Sequence, residues 1–284
     1  MLRYDVVDVF TSRAFAGNPL AVVHGGEGLD DAGMQAVARE FNLSETAFPL
    51  PPTDPAADYR LRIFTPLVEL PFAGLPGIGA AWVLASQGLL RHGPVVQQTG
   101  AGLHEVVVTP RGATLAGGEP GIGRSLDSAP LAAALGLSPS DVDEGIAAGA
   151  ASAGMEFTFL PVRQAAVARA RPAPDLADRV VGRGLVPVAF DPVGRVARVR
   201  MFRATGGEDP ATGSAALALA AWLVDRGLLP GDGEHEFTVR QGAEIDRPST
   251  LDCWVAAVGG RATRVRCGGG VVPVAQGRIR RPGR

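Results

Sequence analysis

The chain has 284 residues, of which 46% are hydrophobic and 20% charged, a composition typical of a globular protein with about two domains. Its net charge of −2 provides no basic field that would attract nucleic acid or an anionic membrane. All 27 basic residues are arginine, and a guanidinium stays protonated at ordinary pH. Schiff-base chemistry on a lysine and the lysine of a P-loop are therefore excluded.

The distribution of ligand-type residues predicts no metal site. The four histidines are far apart in sequence, and the spacing of Cys253 and Cys267 fits neither a zinc site nor a redox pair. The first residues include Arg3 and Asp5, where a signal peptide would be apolar. The longest apolar run, residues 215–224, is about half the length that a membrane span requires. We therefore expect a cytoplasmic protein with no membrane partner.

The first third of the chain alternates short strands with one helix. The segment 4–10 is apolar and rich in β-branched residues, which predicts a strand, and 20–23 and 60–64 are predicted to be two more. Residues 30–41 repeat apolar side chains at the spacing of one helical face, and the acidic pair at the beginning of this segment suits a helix N-terminus. This pattern predicts a surface helix that starts near Asp30.

Two later segments are predicted to be buried helices that share one sequence pattern. Residues 76–90 and 210–229 both open with Pro-x-x-Gly-x-Ala, pass through a tryptophan and close with Gly-Leu-Leu. Both are apolar on almost every face, which predicts burial, and Pro76 and Pro210 suit the first helical position. Chance similarity between two alanine-rich helices is the alternative, but the shared opening and close favour an internal repeat.

The repeat predicts an α+β fold with two pseudo-symmetric domains, each a curved, mostly antiparallel sheet or barrel around one buried helix. We expect one domain in residues 1–118, with strands from about 271–284 returning to it, and the other in residues 119–270. Residues 117–129 are rich in Gly, Pro and Ser and predict the linker. A cleft between the halves is the expected place for a small-molecule site.

The strongest local candidate for chemistry is the junction at residues 206–214, before the second buried helix. Its glycines permit close backbone approach, and a helix N-terminus suits a substrate carboxylate. Thr212 and Ser214 add hydroxyl groups, while the counterpart that begins at Gly74 offers the same backbone without hydroxyls. An ordinary helix N-cap at Asp209 explains the same residues and remains open at this point.

Glu45 is the second candidate, in a turn that enters a strand near Phe48. A carboxyl group among the apolar side chains of Leu43, Ala47 and Phe48 would be partly desolvated, which raises a pKa towards the range of a general acid/base. An exposed glutamate on a turn is the alternative reading of the same pattern. Glu69 is ambiguous in the same way, and a structural role is favoured for it.

In order along the chain, these segments resemble the phenazine biosynthesis PhzF-like family, which has the diaminopimelate epimerase-like fold. The resemblance covers nearly the whole chain. It rests on these segments: Asp8–Phe10, Phe15–Val22, Met34–Gln35, Ala38–Glu40, Asn42–Phe48, Phe64–Pro66, Glu69–Gly74, Glu208–Ala215, Gln241–Gly242, Arg247–Ser249 and Val258–Gly260. No single motif is specific, but their shared order is.

The resemblance implies a cofactor-independent isomerase that moves a proton on a small carboxylate-bearing metabolite, and commonly a homodimer. Glu45 matches the acid/base glutamate, and Asp209 would assist it. The substrate carboxylate and polar groups would be held by a set drawn from both helix starts and the Glu45 turn: Asn18, Ser44, Gly74, Leu75, Thr212, Gly213 and Ser214. No metal or organic cofactor is implied, and no nucleic acid.

The chain departs from the family at one site position. The family has Gly-His-Pro-Thr where this chain has Gly74-Leu75-Pro76-Gly77, and leucine can neither donate nor accept a hydrogen bond. Two other functions therefore stay open beside the isomerase. One is a non-catalytic small-molecule-binding homologue, and the other is a lyase or cyclisation-type reaction on the same scaffold.

Overall fold

The computed structural model describes residues 1–283. The described chain contains five α-helices: α1 (Asp31–Phe41), α2 (Gly74–Ser86), α3 (Ser128–Ala134), α4 (Gln164–Val167) and α5 (Gly213–Asp225). Strands of the first half are β1 (Leu2–Val9), β2 (Asn18–Val23), β3 (Glu45–Leu50), β4 (Tyr59–Phe64), β5 (Glu69–Leu70), β6 (Gly93–Thr99), β7 (Gly102–Thr109) and β8 (Gly112–Ala116). Strands of the second half are β9 (Pro120–Ser125), β10 (Gly149–Ala153), β11 (Glu156–Pro161), β12 (Gly184–Asp191), β13 (Val196–Val199), β14 (Met201–Arg203), β15 (Glu208–Asp209), β16 (Gly233–Gln241) and β17 (Ser249–Val258). The last strand, β18 (Arg261–Ile279), begins in the second half and continues as a strand of the first.

The described residues form two compact units. Unit 1 comprises Met1–Ala116 together with the described part of the C-terminal segment that starts at Gly268, and unit 2 comprises Gly117–Cys267. Arg284, the last residue of the segment predicted to return to the first half, lies outside the described residues. Residues 120–125, placed in the predicted linker, form strand β9 instead. Glycine and proline are frequent there, but the strand gains its partner from β10, which sequence alone does not reveal.

In unit 1, eight strands close into a barrel around α2. The strands follow one another in the order β1, β2, β3, β4, β6, β7, β8 and β18, and β18 pairs back with β1. Helix α2 is buried on nearly every face, as a helix without a polar stripe must be. Helix α1 packs on the outside of this sheet through Met34 and Val37, and Asp30 caps its N-terminus by accepting from the Gly33 amide at 2.9 Å.

Unit 2 repeats the pairing pattern of unit 1. In unit 1 the successive strand pairs alternate between antiparallel and parallel, and both the first and the last are antiparallel: β1/β2, β2/β3, β3/β4, β4/β6 and β6/β7. The same alternation of directions occurs in five successive pairs of unit 2: β10/β11, β11/β12, β12/β13, β13/β16 and β16/β17. Helix α5 packs on β9, β10, β11 and β17 and is buried like α2. The predicted α+β fold with two pseudo-symmetric halves is confirmed.

The prolines that were expected in the first helical position lie elsewhere. Helix α2 begins at Gly74, two residues before Pro76, and α5 begins at Gly213, three residues after Pro210. Pro76 fits because the amides of the first four helical residues need no intrahelical acceptor. Pro210 stands outside its helix, in the loop that carries Asp209. No described helix is both long enough and apolar enough to cross a membrane.

One half-buried histidine in unit 1, His104, makes the free energy of unfolding depend on pH. The His104 ring lies 4.6 Å from the Phe72 ring centre and its Nε2 is 3.1 Å from Thr99 Oγ1, and burial lowers the pKa of His104 below 6.5. His104 therefore binds a proton more readily in the unfolded chain than in the folded one. The neutral ring contributes fully to the free energy of unfolding above about pH 6.5, and this contribution is lost as pH falls towards the lowered pKa.

We expect His104→Gln to reduce the loss of unfolding free energy between about pH 7 and pH 5. Urea unfolding at both pH values measures the change. His92→Gln, at an exposed position of the same unit, is the matched control and should retain the wild-type difference. An unchanged pH difference in His104→Gln would contradict the assignment.

Candidate functional site

In unit 1, the predicted residues gather at one end of the barrel. Gln87, which follows the last residue of α2, donates to Asp5 on β1 at 2.8 Å, so the C-terminal end of the helix lies near the start of β1. About two turns earlier, Gly79 is so close to β1 and β2 that a Cβ there would lie 2.5 Å from Leu20 and 2.9 Å from Val9. Helix α2 therefore runs antiparallel to β1, and its first residue, Gly74, lies towards the end of β1.

That end of the barrel is also where β2 and β3 begin. Asn18 opens β2 opposite Val9, and the parallel neighbour β3 opens with Glu45 opposite Leu20. Leu20 faces α2, and residues that pair in register share a face of the sheet, so the Glu45 side chain is directed to the inner face. The structure thus brings Asn18, Glu45 and the start of α2 to the same end of unit 1.

The side chains of this end differ in burial. Asn18 is fully buried, and Leu75, in the first turn of α2, is 3% exposed. Ser44 and Glu45 are half-buried, but Glu45 Oε2 is shielded from solvent. No side chain caps the N-terminus of α2, since Ala73 holds that position. Backbone amides and the positive end of the helix dipole are consequently the polar features of this terminus.

The turn before Asn18 is held by a buried carboxylate. Asp8, 1% exposed on β1, accepts the backbone N–H of Phe15 at 2.7 Å. Phe15 and Gly17 both have left-handed backbones, and a Cβ on Gly17 would lie 2.2 Å from the Val9 carbonyl oxygen. Only glycine satisfies both constraints at position 17, so this turn fixes the entry of the chain into Asn18.

In unit 2, Asp209 lies in a network of buried polar groups. It is 5% exposed, and its carboxylate pairs with Arg203 through Oδ1 and accepts the Thr212 hydroxyl at 2.5 Å through Oδ2. Gln241 Nε2 donates to the Asp209 carbonyl at 2.8 Å and to Thr212 Oγ1 at 3.1 Å. The same Gln241 side chain accepts from the Thr212 amide at 3.2 Å. These contacts fix both the backbone and the carboxylate of Asp209.

The N-cap of α5 is Thr212, not Asp209. No side-chain hydrogen bond caps this helix either, and Gly213 and Ser214 form its buried first turn. The interpretation of Asp209 as an ordinary N-cap is wrong, because the helix begins four residues further on. The hydroxyl of Thr212 donates to Asp209 and accepts from Gln241, so it orients the carboxylate.

Several residues that hold this loop had no role assigned from sequence. Arg200, 4% exposed, binds Glu208 through both carboxylate oxygens, at 2.8 Å and 2.5 Å, and so anchors the residue before Asp209. Ser249 donates to the Pro210 carbonyl at 3.2 Å. Gln241 and Ser249 occur in family-like motifs, but only the pairing of β16 with β17 shows that they meet this loop.

Unit 2 has no acid at the place that corresponds to Glu45. Phe64 on β4 pairs with Thr46 and Glu69, and Phe202 on β14 pairs with Leu185 and Glu208. Leu185 therefore matches Thr46, and Gly184 on β12 takes the place of Glu45. The two halves thus share a scaffold but not a pair of equivalent acids. Within residues 1–283, no group of three or more His, Cys, Asp or Glu side chains could hold a metal ion.

Comparison with known proteins agrees with this fold. Residues 7–277 match the family described as phenazine biosynthesis-like protein, PhzC-PhzF. An uncharacterised isomerase of Mesorhizobium japonicum is 37% identical over 298 residues, covering 98% of each chain. The trans-2,3-dihydro-3-hydroxyanthranilate isomerase of Pseudomonas aeruginosa is 34% identical over 98% of this chain and 99% of its own. The crystal structure of a Bacillus anthracis PhzF-family protein superposes with a TM-score of 0.87 at 25% identity, covering 98% of each chain.

Fold and relatives together define an isomerase built on two pseudo-symmetric units. The chain belongs to the PhzC-PhzF family of phenazine biosynthesis-like proteins.

Proposed function

We propose that this protein is a cofactor-independent isomerase that moves a proton on a small carboxylate-bearing metabolite, with Glu45 as the general acid/base. The observation that carries the proposal is the place of Glu45: half-buried, on the inner face of its barrel, at the end where α2 begins. Glu45 takes a proton from one carbon of the substrate and returns it to another, so no atoms are gained or lost. A positioned carboxyl group can contribute about 100- to 10 000-fold to such a transfer.

The substrate carboxylate is proposed to bind at the helix starts. Neither α2 nor α5 has a side-chain cap, so the amides near Gly74 and Gly213 and the positive ends of the helix dipoles suit an anion. Ser44, Ser214 and Asn18 add polar groups. Since unit 2 has Gly184 in place of a second acid, Glu45 is proposed both to remove and to return the proton.

Asp209 is proposed to assist Glu45 by positioning the substrate. Its carboxylate is already fixed by Arg203 and by Thr212, which suits orientation of a bound polar group. Leu75 gives the start of α2 an apolar, non-donating side chain. The substrate is therefore expected to present an apolar edge there. The proposal retains the homodimer and the cytoplasmic location expected from sequence.

Leu75 also motivates the second candidate, a small-molecule-binding protein without catalysis, because a hydrogen-bonding residue of the family is absent from this position. A thermal-shift screen of small carboxylates on wild type and Glu45→Gln identifies ligands. Each ligand is then incubated with both proteins in deuterium oxide and examined by NMR.

Deuterium uptake into a ligand by the wild type that is lost in Glu45→Gln supports the isomerase. Uptake that persists in Glu45→Gln contradicts the role of Glu45. Stabilisation by a ligand without uptake in the wild type contradicts the isomerase and supports the binding protein.

A further inference from the structure

A cavity of about 410 Å³ lies in unit 1 beside the C-terminal half of α2. Its apolar wall is formed by Trp82 and Val83 of the helix with neighbouring residues of β1 and β18. Trp82 is half-buried, and its ring is fixed by a hydrogen bond from Nε1 to the Pro110 carbonyl at 3.2 Å. The volume falls within the range of sites for small organic molecules.

An irregularity in the barrel accompanies this cavity. Along the β1/β18 pair, Val6 lies opposite Ala275 but Val7 lies opposite Pro273, so Val274 is an extra residue on β18. Such a bulge bends the strand and interrupts its pairing. The bulge residues of β18 line the cavity, and Ala275 is exposed.

The lining of the cavity contains one carboxylate. Among the described residues that line it, Asp5 alone carries a formal charge, and Ser86, Gln87 and Gln276 supply neutral polar groups. The hydrogen bonds to Asp5 from His24, at 2.7 Å, and from Gln87, at 2.8 Å, both use Oδ2. Asp5 Oδ1 accepts no hydrogen bond from a described residue.

Two basic side chains lie near this carboxylate. Arg3 is exposed and donates to Gln87, and the His24 ring contacts Asp5 through Oδ2, so neither engages Oδ1. The last turn of α2 presents the negative end of the helix dipole to the same cavity. A metal ion would require several oxygen ligands, whereas an organic ammonium group requires one carboxylate and a few acceptors.

We propose that this cavity is a binding site for a small organic amine with a flat apolar body. The ammonium group pairs with Asp5, and the apolar body packs on Trp82 and the valines. This site is separate from the end that carries Glu45. Helix α2 has 13 residues and is about 20 Å long, with Gly74 at the Glu45 end and Ser86 at the cavity.

The test is calorimetric titration of the full chain with 2-phenylethylamine, 3-phenylpropionate and 2-phenylethanol, which share an apolar body and differ in charge. We expect the amine to bind at least about tenfold more tightly than the alcohol and the anion, because a hydrogen bond between an ammonium group and a carboxylate is stronger than one between neutral groups. Asp5→Asn should remove this preference. Glu144→Gln deletes one exposed carboxylate elsewhere and should leave it intact.

Asp5→Asn also alters the contacts with His24 and Gln87, so a second variant blocks the cavity without touching Asp5. Ala275→Phe should abolish amine binding while thermal unfolding stays near that of the wild type. Glu45→Gln should bind the amine as the wild type does, which separates this site from the proposed isomerase. Equal affinity for all three compounds, or wild-type amine binding in Ala275→Phe, would overturn the proposal.

Discussion

Glu45→Gln should lower kcat by about 100- to 10 000-fold, the range attributed to one positioned general acid/base. The amide keeps the size of the side chain and its ability to accept hydrogen bonds, but it cannot take up a proton. Because Glu45 stands at the first residue of β3, on the end of the strand, the β2/β3 pairing should survive the change. We therefore expect KM to change much less than kcat, and thermal unfolding to be unaffected.

Two comparisons make this prediction specific. Glu40→Gln removes a glutamate from the exposed face of α1, close in sequence, and should keep the wild-type kcat. Glu45→Asp retains a carboxyl group but withdraws it by one methylene, so it should fall between wild type and Glu45→Gln. A Glu45→Gln protein with more than about a tenth of the wild-type kcat would remove Glu45 from the catalytic role.

The sequence predicts those elements of the fold whose local pattern also requires a particular environment, such as burial. The helix at Asp31–Phe41 follows from its apolar face, and its cap at Asp30 from the adjacent acidic pair. The two buried helices follow from their lack of any polar face. Each needs a sheet around it, so two similar helices in one chain predict two similar units.

The exact starts of the buried helices were not predictable from proline position. In α2 the chain continues helically from Gly74 because the first turn is buried, whereas in α5 the network around Asp209 holds residues 209–212 out of the helix. A proline is compatible with both outcomes, since it lacks only an amide that a first turn does not use. Tertiary contacts therefore determine the residue at which each buried helix begins.

The sequence identifies the candidate site residues by their chemistry, but it does not identify the residues that they contact. Thr212 reads as a hydroxyl at a helix start, and only the folded chain shows that its proton is directed to Asp209. Gln241 lies 32 residues beyond Asp209 and reaches it through the last position of β16. A network assembled from separate strands leaves no periodic signal in the sequence, although it fixes the loop as firmly as a local turn would.

This dependence on distant residues gives Gly242 a large expected effect. Gly242 has φ of +80°, and a Cβ there would lie 2.4 Å from both the Pro210 and the Arg247 carbonyl oxygens. The left-handed backbone costs an alanine about 1 kcal/mol or more, and forced overpacking adds about 1–3 kcal/mol. Gly242→Ala should therefore reduce the free energy of unfolding by about 2–4 kcal/mol, as measured by urea denaturation with tryptophan fluorescence.

Gly259 supplies the control that separates backbone strain from collision. It also has a left-handed backbone, with φ of +58°, but a Cβ there would meet no atom within 4 Å. Gly259→Ala should cost only the conformational part, about 1 kcal/mol, and leave activity unchanged. Gly242→Ala displaces the Pro210 carbonyl, next to Asp209, so it should lower activity as well as stability. Equal losses of stability in the two variants would show that the loop tolerates the added methyl group and that Gly242 is required only for its backbone angle.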